Sequence, residues 1–81
     1  MQFIFTLTAE KHFKHFTPLA QKRIADKMRF FADQPDSLVF AEPLTGSANY
    51  RFRIGDYRVI FEVLNGVGWV LAVRRRDEAY R

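Results

Sequence analysis

The sequence predicts an α+β fold in which an N-terminal strand and a two-helix hairpin precede a sheet of three to four antiparallel strands. The first observation is the run from Tyr50 to Phe61, which alternates basic and apolar residues on both sides of Gly55-Asp56. This alternation is typical of a strand with unlike faces, and a Gly-Asp pair between two such runs predicts a tight hairpin. The second observation is the apolar spacing of residues 9–33, which recurs every three or four positions as on a helix.

The N-terminal elements follow from alternation and from helix start signals. Alternation from Phe3 to Leu7 predicts the first strand, with its odd-numbered residues buried. Thr8 is the expected N-cap of a first helix over residues 9–16. Thr17-Pro18 combines a capping residue with a proline at the first helical position, so a second helix begins there and runs to about Asp33. We expect both helices to lie as an antiparallel hairpin across one face of the sheet.

The segment between the helices and the central hairpin carries weaker signals. Leu38-Val39-Phe40 is predicted as a short strand because it is a compact apolar run. Residues 43–47 contain proline, glycine and serine, which predicts a loop that leads into the hairpin.

The tight turn at Gly55-Asp56 fixes the register of the central hairpin. Ile54 lies opposite Tyr57, and Arg53 lies opposite Arg58. Like charges directly opposite each other on a sheet are unfavourable. Either the arginine stems splay into water and cover apolar surface, or an anion such as phosphate lies between the guanidinium groups.

The last strand adds to this arginine cluster. A three-residue loop over residues 65–67 is predicted, because it keeps Trp69, Leu71 and Val73 on the apolar face of the sheet. That register places Arg74 opposite Arg58. We define the arginine face as the side of three adjacent strands that would carry Arg51, Arg53, Arg58, Arg74 and Arg76. A cluster of this size favours an anion site, and thus a phosphate-bearing or acidic partner.

Composition narrows the class of protein. The chain has 81 residues, a formal net charge of +4 and no cysteine, which predicts a single domain over residues 1–81 without a disulfide framework or thiolate site. No signal peptide and no membrane span are predicted, so a cytoplasmic location is expected. His12 and His15 are predicted as surface residues of the first helix, remote from the arginine face, and no metal site or cofactor is predicted.

The chain resembles the RelE/ParE superfamily of bacterial toxins from type II toxin–antitoxin systems. The resemblance rests on the order of elements, the approach Leu44-Thr45-Gly46, the run from Tyr50 to Phe61 and the ending from Arg74 to Tyr80. It implies a toxin neutralised by a cognate antitoxin. The RelE-like branch, which is favoured here, cleaves mRNA in the ribosomal A site as a metal-independent endoribonuclease. The ParE-like branch inhibits DNA gyrase without a nuclease site, and a degenerate member would only bind its antitoxin.

Membership of the RelE-like branch would give each arginine a role. In such enzymes the ribose 2′-hydroxyl attacks the adjacent phosphorus and leaves a 2′,3′-cyclic phosphate. By resemblance, Arg51 and Arg53 would orient and activate the attacking ribose. Arg58 would stabilise the phosphorane. Arg74 or Arg76 would neutralise or protonate the leaving group, and the resemblance does not choose between them.

Two parts of the implied site remain open. The best-known members carry lysine at the positions of Arg51 and Arg53, and arginine scarcely acts as a proton acceptor. Some members carry a histidine near the terminal motif, where this chain has Arg75. Tyr80 would stack on a base or position the phosphate, or else dock on the sheet as a terminal aromatic residue.

Overall fold

Five strands and two helices form residues 1–77, the part of the chain that this computed structural model describes. The sheet order is β1-β5-β4-β3-β2; β1 pairs parallel with β5 and all other neighbours are antiparallel. The predicted α+β class is confirmed, with a mixed sheet that the sequence did not predict. The elements are β1 (Gln2–Phe5), α1 (Leu7–Lys14), α2 (Pro18–Asp33), a 3₁₀ turn (Ser37–Phe40), β2 (Glu42–Pro43), β3 (Tyr50–Ile54), β4 (Tyr57–Leu64) and β5 (Val67–Arg75).

The first helix begins two residues before the predicted start. Its N-cap is Thr6 and not Thr8, because the Thr6 hydroxyl accepts a hydrogen bond from the Ala9 backbone N–H at 3.3 Å. The same hydroxyl donates to the Val70 carbonyl at 2.8 Å, so one side chain ends β1 and starts α1. The second helix begins as predicted. No helix within residues 1–77 combines the length and the apolar character needed to cross a membrane.

The segment predicted as a short strand at Leu38-Val39-Phe40 is a 3₁₀ turn. The Asp36 carboxylate accepts a hydrogen bond from the Leu38 backbone N–H at 3.1 Å. The Ser37 hydroxyl donates to the Phe31 carbonyl at 2.7 Å. Such local side-chain bonds compete with strand pairing. The predicted strand is therefore wrong, and a two-residue strand, β2, follows it and includes Pro43, the first residue of the predicted loop.

The predicted three-residue loop before β5 is wrong. Asn65 and Gly66 form a two-residue turn with φ angles of 52° and 76°, and Leu64 pairs with Val67 across it. Positive φ at both central residues is the requirement of a type I′ hairpin, which Asn-Gly meets best. Trp69 therefore lies opposite Glu62 instead of Val63.

A β-bulge in β5 restores the predicted register in the second half of that strand. Phe61 pairs with Val70 and Ile60 pairs with Ala72, which leaves Leu71 as the extra residue. Val70 accordingly takes the core position that Leu71 was expected to fill, with none of its surface exposed. Beyond the bulge Arg58 pairs with Arg74, as predicted.

The apolar core lies between the two helices and one face of the sheet. Phe52 and Phe61 are fully buried at its centre. Phe31 of α2 stacks on Phe52 with 4.2 Å between ring centroids, and Phe52 stacks on Phe61 at 4.6 Å. Because alternate residues of a strand point to opposite faces, this core leaves the arginines of β3 and β4 on the other face.

Gly68 of β5 lies against the ring of Phe3 of β1. It pairs with Phe3 in the parallel ladder, and a Cβ atom at this position would overlap the Phe3 ring. That ring packs edge-on against Phe52 and Phe61, so it has little room to move. We expect Gly68→Ala to lower the free energy of unfolding by about 1–3 kcal/mol, measured by denaturant unfolding. The same substitution in a Phe3→Leu background should cost less, and an equal cost in both backgrounds would contradict this packing.

Candidate functional site

Neighbouring strands bring four of the five predicted arginines to one face of the sheet. Arg51 and Arg53 lie on β3, with Arg53 opposite Arg58 of β4. Arg74 of β5 lies opposite Arg58 on its other side. Arg76 follows the end of β5, where its backbone N–H donates to the Asp56 carbonyl at 2.6 Å. Tyr80 lies outside the described residues.

Two neighbouring arginines of β3 share a carboxylate that the sequence analysis did not predict. Glu42 of β2 pairs with Arg51 in the sheet. Its Oε2 accepts a hydrogen bond from Arg51 Nη2 at 2.9 Å, and its Oε1 lies 2.7 Å from Arg53 Nε. One carboxylate thus bridges two guanidinium groups. The arginine face therefore carries an acidic side chain at its β2 edge.

The electrostatics of the Glu42 bridge follow from these contacts. The hydrogen bond from Arg51 lowers the pKa of the Glu42 carboxyl below its ordinary value, and the nearby charges of Arg53 and Arg58 act in the same direction. A lowered pKa means that the carboxyl is ionised at neutral pH. Any stability that the bridge contributes is present there and is lost as the pH falls through the lowered pKa of the folded protein.

Arg58 forms the floor of the arginine face. Only 4% of its surface is exposed. Its Nη1 donates to the Gly55 carbonyl at 2.9 Å and to the Tyr57 carbonyl at 2.8 Å, so the guanidinium is held against the hairpin turn. Among the described residues, its Nε and the Nε of Arg51 are buried without a hydrogen-bond partner. Buried donors in this state are able to bind an added acceptor such as a phosphate oxygen.

The other arginines of the arginine face are more exposed to solvent than Arg58. The Arg51 side chain is 17% exposed and that of Arg53 is 53% exposed. Arg74 and Arg76 are exposed. The two ends of the arginine face therefore differ, because the β3–β4 side is partly buried and occupied by Glu42 whereas the β5 side is open to a ligand.

His15 is exposed, as predicted, but His12 is partly buried and neither histidine is remote from the arginine face. His12 Nδ1 accepts a hydrogen bond from the Val73 backbone N–H at 3.3 Å. The pairing of β1 with β5 ends at Val70, and beyond this residue α1 lies beside β5 in place of β1. His12 and His15 line a hollow of about 160 Å³ that Arg74 also lines. They are therefore close to the β5 end of the arginine face, and His12 is part of the packing of α1 on β5.

A second hollow lies at the other side of the β5 terminus. Asp56, Arg75, Arg76 and Asp77 line a volume of about 360 Å³. Its mixture of acidic and basic side chains provides both donors and acceptors. Within residues 1–77, no group of three or more histidine, cysteine, aspartate or glutamate side chains is arranged to hold a metal ion.

Almost the whole chain matches a known protein family. Residues 3–80 match the family described as the ParE toxin of type II toxin-antitoxin system, parDE. A search of curated proteins finds no match.

Solved structures share the fold. A chain of the RelBE2 toxin–antitoxin complex from Mycobacterium tuberculosis is 20% identical, with a TM-score of 0.77 over 93% of this chain and 96% of that chain. For the RelB–RelE antitoxin–toxin complex from Methanococcus jannaschii the identity is 24%, the TM-score is 0.76 and the coverages are 95% and 94%. The isolated E. coli RelE toxin is 20% identical, with a TM-score of 0.74 over 98% of this chain and 89% of that chain.

Proposed function

This chain belongs to the ParE toxin family of type II toxin–antitoxin systems, and we propose that it is a ribosome-dependent mRNA endonuclease of the cytoplasm. It cleaves mRNA in the ribosomal A site, needs no metal or cofactor, arrests translation and is neutralised by a cognate antitoxin. The observation that carries this proposal is the convergence of arginines from three neighbouring strands above the buried Arg58. A polyanion with regularly spaced phosphates matches such a surface better than a single small anion does.

The proposed reaction is an internal transesterification of RNA. The ribose 2′-oxygen forms a bond to the adjacent phosphorus, and the bond from phosphorus to the 5′-oxygen breaks. The products are a 2′,3′-cyclic phosphate and a 5′-hydroxyl end. Arg51 and Arg53 orient the ribose and its phosphate, Arg58 stabilises the negative charge of the phosphorane, and a cation at the β5 end assists the departing oxygen.

Proton transfer in this proposal does not use arginine as a base. A guanidinium with a pKa above about 12 keeps its proton, but its charge lowers the pKa of a neighbouring hydroxyl. The 2′-hydroxyl proton then passes to solvent. At the other end, Arg74 and Arg76 are the candidates for neutralising the departing 5′-oxygen, which takes a proton from solvent to become the 5′-hydroxyl, and Tyr80 is the candidate for stacking on a base.

A cognate antitoxin is the proposed protein partner. Four of the structural neighbours were solved as RelBE or RelB–RelE toxin–antitoxin complexes. In this chain the arginine face suits an acidic segment. Large apolar side chains that are exposed on the helical side suit an amphipathic one, namely Leu7, Leu19, Phe30, Val39 and Phe40.

A gyrase inhibitor without nuclease activity is the second candidate. The description of the matched family names ParE toxins, and Glu42 already neutralises part of the charge of Arg51 and Arg53. This candidate predicts toxicity that survives Arg58→Ala. A member that only binds its antitoxin would permit normal growth when expressed alone.

The test is induced expression in a bacterial host without antitoxin, with mapping of mRNA 5′ ends. We expect growth arrest and new 5′ ends at fixed positions within codons, which disappear in Arg58→Ala. Growth arrest with intact mRNA and with DNA damage would overturn the nuclease in favour of gyrase inhibition. Normal growth would overturn both and leave antitoxin binding as the role of the arginines.

A further inference from the structure

The contact between Glu42 and the arginines resembles the binding of a phosphodiester. Its two carboxylate oxygens each engage a different guanidinium, at 2.9 Å from Arg51 Nη2 and 2.7 Å from Arg53 Nε. The two non-bridging oxygens of a phosphodiester carry one negative charge between them and bind arginine in the same way. Glu42 therefore occupies the position that RNA phosphate would take at these two side chains.

Glu42 is held loosely enough to be displaced. It belongs to a strand of only two residues at the edge of the sheet, which pairs with β3 alone. Its side chain is 44% exposed and that of Arg53 is 53% exposed. The pair with Arg53 therefore contributes little to stability, because water competes for both partners, whereas the bond to Arg51, whose side chain is 17% exposed, is less accessible to water. A stronger anion can thus replace the carboxylate without disturbing the core.

The Glu42 carboxylate does not accept hydrogen bonds from all the arginine donors at this site. The Nε atoms of Arg51 and Arg58 are buried and have no hydrogen-bond partner among the described residues. Arg58 is close enough to Glu42 for its charge to lower the pKa of that carboxyl. A phosphate group offers more acceptor oxygens than a carboxylate, so an anion that also satisfied these two donors would bind more strongly than Glu42 does.

We propose that Glu42 is a built-in competitor for RNA phosphate, which occupies the anion site of Arg51 and Arg53 in the free toxin and leaves it when a phosphodiester binds. The identity of the ligand as RNA rests on the proposed function, whereas the competition itself concerns any phosphate. Glu42 thus sets the threshold for binding. Weakly bound phosphates are excluded, and a strand presented at high local concentration on the ribosome displaces the carboxylate.

The experiment compares Glu42→Gln with the wild type in two titrations at fixed ionic strength and neutral pH. One probe is inorganic phosphate, and the other is a short single-stranded RNA with 2′-O-methyl groups, which cannot be cleaved. Removing the competing charge should tighten the binding of both probes by about tenfold. Glu42→Asp, whose shorter side chain reaches the two guanidinium groups less well, should lie between the two.

Asp26→Asn is the matched control. Asp26 on α2 also pairs with two basic side chains, Lys22 at 2.8 Å and Arg29 at 2.6 Å, and its loss changes the net charge by the same amount. Binding of the probes should stay at the wild-type value in this variant. An equal gain in Asp26→Asn would show a general effect of charge and overturn the proposal.

The remaining outcomes separate this inference from the nuclease proposal. Unchanged or weaker binding in both Glu42 variants would show that Glu42 positions the arginines instead of competing, and would overturn the inference even if the toxin cleaves mRNA. Tighter phosphate binding in Glu42→Gln, together with intact mRNA on expression of the wild type, would support the competitor and overturn the nuclease. Thermal unfolding of each variant verifies that the folded protein is compared.

Discussion

Phe52→Ala is expected to lower the free energy of unfolding by about 3–5 kcal/mol, the range for removing a fully buried phenylalanine. Phe52 has none of its surface exposed. Its ring stacks between Phe31 and Phe61, with Phe3 edge-on at 5.4 Å between centroids. Since small domains have total stabilities of about 5–15 kcal/mol, the loss is a large share of the total. Denaturant unfolding of the purified variant measures it.

Phe30→Ala is the matched control for this substitution. Phe30 is 46% exposed and contacts Phe31 and Phe40 at the surface end of the same aromatic cluster. Its removal should cost about 1 kcal/mol or less, because nearly half of its surface is already exposed to water. Equal losses in the two variants would contradict the position of Phe52 at the centre of the core.

Arg58→Ala is expected to reduce the rate of mRNA cleavage by about 100-fold or more, as removal of a donor that stabilises transition-state charge does in other enzymes. The buried guanidinium is fixed by two carbonyls of the hairpin turn, and within residues 1–77 its Nε has no hydrogen-bond partner. It is therefore oriented before substrate binds and loses little entropy on contact with the phosphorane. The rate is measured on ribosomes programmed with a defined mRNA.

Two further variants test whether the loss of rate in Arg58→Ala comes from the lost charge, from the lost guanidinium geometry or from a general effect of losing an arginine. Arg58→Lys keeps the charge but loses the planar fork, so it should recover only part of the rate. Arg29→Ala removes an exposed arginine of α2 that pairs with Asp26, away from the arginine face, and should leave the rate unchanged. A rate for Arg58→Ala that falls only in proportion to its unfolded fraction would contradict the role of Arg58 in the reaction.

The central hairpin could be predicted from the sequence because its information is local. Gly55-Asp56 fixes the turn, and alternation assigns each side chain to a face. The predicted pairs of Ile54 with Tyr57 and of Arg53 with Arg58 are both present. The start of α2 at Thr17-Pro18 is local in the same way, since the cap and the proline act within one turn of helix.

The second hairpin shows how a correct register can follow from a wrong loop. A third residue in the loop, as predicted, would shift the pairing of β5 with β4 by one residue. The observed bulge at Leu71 shifts the pairing by the same amount, but farther along β5. Arg58 therefore lies opposite Arg74 in both cases. Only the stretch between the turn and the bulge is inverted, which is why Val70 and not Leu71 is buried. Hydrophobic pattern alone does not locate a bulge.

The residues missed at the site depend on contacts between distant parts of the chain. Glu42 lies on a strand of two residues, too short for alternation to assign its face. His12 binds the backbone of Val73, 61 positions away in the sequence. Thr6 caps α1 while bound to Val70, whereas Thr8 looked equivalent from the sequence. Each depends on the β1–β5 or β2–β3 pairing, which local pattern did not predict.

The most direct measurement adds the purified protein to ribosomes that carry a defined mRNA and identifies the ends of the products, beside a DNA gyrase supercoiling reaction. We predict cleavage within the A-site codon, a 2′,3′-cyclic phosphate on the upstream fragment, no cleavage of the same mRNA without ribosomes, and normal supercoiling. Intact mRNA on the ribosome together with inhibited supercoiling would contradict the nuclease and leave the arginine face as a surface for binding a protein.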